Sequence, residues 1–220
     1  MLSYLRGLYH GSQPPRILIT ASTSSATLSK SGLGPKFSIT LSATVEASSP
    51  ITILPDDTLL DPSCLALFKQ GLTFTNIATG EIVPRCSMYI CAGDFPPPLT
   101  PNRTIEIPPQ DNAGSSYEVS HTFKPPEPPF LFIRQTTVGD QWIEHEPEVR
   151  QYDLHGQGLE IGQVYEIGLG EDLVKVPWWR WGSKWEVFSF PYYPRSRYSG
   201  RGMPELRMVL VNRARFTVVE

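Results

Sequence analysis

Hydrophobic and polar residues alternate most cleanly between positions 37 and 46. Phe37, Ile39, Leu41, Ala43 and Val45 interleave there with Ser38, Thr40, Ser42, Thr44 and Glu46. A period of two over ten residues marks a strand with one buried and one solvated face. Ser49-Pro50 ends it, and residues 51–54 predict the next strand. Upstream, residues 16–21 (RILITA) read as a first strand, followed by a Ser/Thr-rich loop that runs to Gly34. Downstream, residues 72–77 and 81–83 predict two strands joined by Ala78-Thr79-Gly80, with glycine where a hairpin needs a positive φ. Short strands are expected at 103–107 and 117–123, and 130–134 is a further apolar run.

The polar, acidic stretch 136–153 around Trp142 and Ile143 reads as a long irregular loop. Residues 205–219 predict a closing strand on Leu206, Met208, Leu210, Ala214, Phe216 and Val218, bent or split near Asn212. Residues 1–15 are expected to form a short helical turn or to fray. No segment carries a sustained helical period, so the expected class is all-β.

Proline sharpens this picture. The chain holds 22 prolines in 220 residues, and ten of them fall between Phe95 and Pro129. A residue that cannot donate to a ladder marks sheet edges and connections, so this region is a set of links between short strands. The strands beyond it are too few and too short for a second core, which favours one domain over residues 16–220. Hydrophobic residues at 40% and charged residues at 19% supply that core and exclude a disordered chain. A formal net charge of −3 offers no global attraction to nucleic acid or to an anionic membrane. No window approaches the roughly 18 apolar residues of a membrane span, and no secretory leader is evident. Cys64, Cys86 and Cys91 are odd in number and lack a CxxC pair, so the expected location is cytoplasmic. Cys86 and Cys91 fit either a hairpin disulfide or two buried thiols. The sequon Asn102-Arg103-Thr104 is then a chance match.

Leu159, Gly162, Tyr165 and Ile167 take the spacing L-x-x-G-x-x-Y-x-I. This resembles the tyrosine corner of immunoglobulin-like and fibronectin-like domains, in which a tyrosine hydroxyl pins the chain where it turns between sheets. The resemblance implies an immunoglobulin-like antiparallel β-sandwich with Pro-rich connections. The segments 37–54, 71–84, 155–170 and 178–187 together resemble a group of small uncharacterised fungal β proteins. That resemblance implies a fold and a kingdom, and no activity.

The densest chemistry lies at 177–190, PWWRWGSKWEVFSF, which holds four of the five tryptophans. Arg180 and Lys184 interleave with Trp178, Trp179, Trp181 and Trp185, and Arg195, Arg197 and Arg201 follow. Such a block can wall a core, cradle an apolar ligand or anchor a partner, since Trp and Arg dominate interface hot spots. Four rings exceed what one strand face buries, which favours an exposed binding surface for a protein or an apolar small molecule. Nucleic acid is the weakest version of that surface, given the acidic balance. A second group, Glu144, His145, Glu146, Glu148, Asp153 and His155, holds proton-transfer candidates in Glu144, His145 and His155. Its imidazoles are ten residues apart and lack metal-ligand spacing, so it reads more simply as a solvated acidic loop. His10 and His121 have no supporting cluster. No nucleophile elbow, phosphate loop or dinucleotide fingerprint is present, and no metal or cofactor is implied. Three readings remain: a non-enzymatic interaction module, a cofactor-free cyclase or isomerase of fungal specialised metabolism with an aromatic-walled pocket, or a structural domain with the aromatics wholly internal.

Overall fold

The computed structural model describes residues 14–62, 65–84, 99–112, 114–124, 130–132, 135–138, 141–144, 148–150, 156, 158–189 and 205–220, with 130–150 as backbone. Strand makes up 42% of the chain, far above the roughly 20–25% of an average domain, so the protein is mostly β. The strands are gathered mainly into three mixed sheets that include a curled half-barrel.

The alternation at 37–46 becomes β3 (Ser38–Val45), whose odd residues are buried and even residues half-exposed. It lies at the heart of a five-stranded sheet with β1 (Arg16–Thr23), β7 (Tyr117–Thr122), β13 (Lys175–Val176) and β15 (Leu206–Leu210), in the order β13-β15-β1-β3-β7. β1 runs antiparallel to β3 and parallel to β15. The second sheet has four strands, β2 (Thr27–Ser29), β16 (Arg215–Val219), β12 (Val164–Leu169) and β5 (Leu72–Asn76), in that order. The third sets β4 (Ile51–Ile53) between β14 (Trp179–Trp181) and β6 (Ile105–Ile107).

The closing segment does split at Asn212, and the halves join different sheets. The Asn212 side chain explains the break: its carbonyl accepts from Ala21 N at 2.7 Å and its amide donates to Ala21 O at 2.8 Å. A polar residue thus takes over the ladder of β1 at the point where β15 departs, so the chain crosses with both backbone groups satisfied. The expected second hairpin arm at 81–83 is reduced to one bridge between Thr75 and Ile82. The stretch expected to be an irregular loop is instead partly extended. β9 (Gln135–Val138) pairs with β10 (Gln141–Glu144), and β8 (Phe130–Phe132) pairs with β11 (Glu148–Arg150). Two-stranded ribbons need no buried face, so no alternation announced them.

One contiguous core joins all three sheets. Ile17, Ile39 and Leu41 from the first sheet, Phe74 and Phe216 from the second, and Ile51 and Ile53 from the third are sealed from water. Tyr165 packs against Phe216 with ring centres 5.9 Å apart, and its hydroxyl accepts from Glu160 N at 2.9 Å. The hydroxyl clasp expected from the L-x-x-G-x-x-Y spacing is therefore formed locally.

Candidate functional site

The aromatic block is built across two faces rather than one. β14 pairs with β4 so that Trp179 lies opposite Ile53 and Trp181 opposite Ile51. The two rings meet nearly edge to face at 5.6 Å and enter the main core, 3% and 6% exposed. Trp178, one residue earlier, points elsewhere and is 1% exposed in a second cluster with Leu54, Leu99 and Val187. Val187 comes from a short helix, α1 (Lys184–Phe188), that follows Gly182 and folds back over this cluster. The start of the helix is fixed by a capping box. Ser183 Oγ accepts from Glu186 N, and the Glu186 carboxylate accepts from Ser183 N at 2.8 Å. The spacing Ser183-x-x-Glu186 is the local sequence signal of this helix start.

Three of the four rings therefore build core walls, and the expected exposed surface of four tryptophans is not formed. The correction has a simple cause. A strand buried on one face can hold two tryptophans, but a turn at Gly182 brings a helix over the other side and buries a third. Trp185 alone points outward, 78% exposed.

The interleaved cations serve this arrangement. The Arg180 guanidinium sits 5.3 Å from the centre of the Trp178 ring and donates to Trp179 O at 2.8 Å. Lys184 donates through its backbone N to Glu106 and through Nζ to Thr104 O at 3.0 Å, which ties α1 to β6. Arg180 and Lys184 thus lie beside the tryptophans as expected, and both clamp the local backbone.

Trp181 also borders a cavity of about 920 Å³, together with Pro14, Arg16, Glu46, Glu205 and Arg207. Both carboxylates of its described lining are engaged. Glu46 accepts from Arg16 Nε at 2.7 Å and Glu205 accepts from Arg207. The Arg16 hydrogen bond holds Glu46 below the ordinary carboxylate range, which makes it a weak base.

Of the proton-transfer candidates, Glu144 ends β10 with only its backbone described, and His145 and His155 lie outside the described residues, as do Cys86, Cys91, Arg195, Arg197 and Arg201. His121, which has no supporting cluster in the sequence, is a buried imidazole. It is fully sealed on β7, and Nε2 donates to Leu59 O at 2.9 Å. Its Nδ1 has no partner among the described residues. Burial pushes its pKa down, partly offset by the Leu59 carbonyl and by Asp61. Burial, with Asp61, also pushes up Tyr117 on the same strand. Among the described residues, no three His, Cys, Asp or Glu side chains gather as a metal site. No described helix is long and apolar enough to cross a membrane.

No family model, curated protein or solved structure matches this chain.

Proposed function

We propose that this protein is a non-enzymatic, intracellular binding module whose contact surface centres on Trp185. The carrying observation is a single large ring left 78% in water on a helix whose start is capped and whose flank is tied down. A rigid, exposed tryptophan is the side chain that anchors protein partners, because docking buries much apolar area at little entropic cost. A protein partner fits this surface better than an enclosed small molecule, since the neighbouring rings already serve the core. The Tyr165 hydroxyl clasp supports reading the β12 turn as the corner of an immunoglobulin-like sandwich, a scaffold suited to such a role. The likeness to small fungal β proteins adds no activity to this reading. The alternative, a cofactor-free cyclase or isomerase, needs a titratable group free to move a proton beside the rings. Glu46 and Glu205, the carboxylates at the Trp181 cavity, are instead paired with arginines.

The test uses a photo-crosslinking residue at position 185 to capture the partner, then Trp185→Ala in a binding assay with that partner. Loss of a hot-spot ring is expected to weaken binding by about thirtyfold or more, equivalent to about 2 kcal/mol. The melting temperature should stay within a few degrees of the parent. Unchanged affinity in Trp185→Ala would contradict the proposal.

A further inference from the structure

A second site lies where the first two sheets end together. Phe37, just before β3, meets Phe123, just after β7, edge to face at 5.3 Å, and Phe37 leans on Phe216 of β16 at 5.0 Å. These rings form the outer rim of the aromatic cluster inside the main core. A cavity of about 260 Å³ opens over that rim, with Leu28, Phe37 and Phe123 on its apolar side. Lys30, Lys36 and Lys124 line the same cavity, and no carboxylate side chain is among its described lining. Lys30 and Lys36 belong to the loop between β2 and β3, and Lys124 follows β7, so the pairing of β3 with β7 brings the third lysine to the other two.

The loop between β2 and β3 forms one wall, and glycine lets it close. A Cβ on Gly34 would lie 2.9 Å from Ser29 Cβ, too close for any other residue without a shift of β2. Cations ringing an apolar floor suit a ligand with a charged head and a greasy body. The lysine ammonium groups meet the head as point charges, while the phenylalanine rims bury the body. The volume falls below the roughly 300–1,000 Å³ of sites for drug-sized ligands, so the body must be small.

We propose that this cavity binds a small amphipathic carboxylate, with a body about the size of a medium-chain fatty acid. This inference does not rest on the Trp185 reading, since the two sites share no residue. The experiment titrates the full-length protein with octanoate and, separately, with octanol, following the Phe37 and Phe123 environment by NMR. Octanoate is expected to bind saturably, and octanol, which keeps the body and lacks the charge, at least about tenfold more weakly. Added salt should weaken octanoate and leave octanol nearly unchanged. The variant Lys36→Glu with Lys124→Glu should lower octanoate affinity by a similar factor or more. Equal binding of octanoate and octanol, no saturable octanoate binding at millimolar concentration, or parental affinity in a folded double variant would each overturn the proposal. The octanoate and octanol comparison on the parent protein decides the matter by itself if the variant does not fold.

Discussion

Replacing Trp179 with alanine is expected to destabilise the protein by about 3–5 kcal/mol, the range for removing a large buried ring. The ring is 3% exposed, faces Ile53 across the ladder and packs against Trp181. Its loss leaves a cavity beneath β14, which is an edge strand held by β4 alone in its sheet. The chain around it is fixed on both sides, by Leu54 N donating to Trp178 O and by Gly182 N donating to Pro50 O. The site therefore cannot collapse cheaply onto the gap. For a chain of this length, a midpoint roughly 10 °C lower is expected in thermal unfolding followed by circular dichroism. Trp185→Ala, in the same assay, should change stability by no more than about 0.5 kcal/mol, as for an ordinary surface substitution. Equal losses in the two variants would contradict the division of the block into core rings and one presented ring.

The second large effect is a loss of stability in mild acid caused by His121. An unfolded imidazole titrates near about pH 6.5. In the folded protein, burial lowers that value, because a charged ring would be stranded beside a sealed Nδ1 with no acceptor among the described residues. Above pH 6.5 both states hold the ring neutral, and its contribution to stability is fully present. As the pH falls below that point, the unfolded chain takes up a proton that the folded chain resists. Stability then drops by up to about 1.4 kcal/mol per pH unit until the folded pKa is reached. His121→Gln keeps an N–H for Leu59 O and removes the titration, so its denaturation midpoint should vary less between pH 6.5 and 5 than the parent's. A slope identical to the parent's would contradict the assignment. Glu46 and Glu166 act lower on the scale. Arg16 holds the first, and Arg213 with Arg215 holds the second, below the usual carboxylate range. Their contributions are present above about pH 4.3 and are lost as the pH falls through their folded values.

How far the sequence reveals these features depends on the distance over which each is determined. β3 is legible because one buried face imposes its period on ten consecutive residues. The break at Asn212 is legible too, since a polar residue interrupts an apolar alternation. That the halves serve different sheets is not, because pairing to β1 and to β12 is decided about 50 to 190 residues away. The ribbons within 130–150 lack a sustained alternation of apolar and polar residues in the sequence. In the tryptophan block the composition was plain and the geometry was hidden. Counting rings against one strand face assumes a straight segment, and the turn after Trp181 supplies a second buried side. The capping box Ser183-x-x-Glu186 was the one local clue to that turn. The lysine cavity could not be found by pattern, since Lys124 lies far along the chain from Lys30 and Lys36 and is brought to them by the pairing of β3 with β7.

Iodide quenching of tryptophan emission tests most directly whether Trp185 is the presented ring. The experiment uses a Trp142→Phe background, so that only Trp178, Trp179, Trp181 and Trp185 emit. Adding Trp185→Phe is expected to remove nearly all of the quenchable, red-shifted emission and leave a blue-shifted, protected spectrum from the three core rings. Quenchable emission that survives Trp185→Phe and vanishes with Trp179→Phe or Trp181→Phe would contradict the account, and would return those rings to an exposed surface.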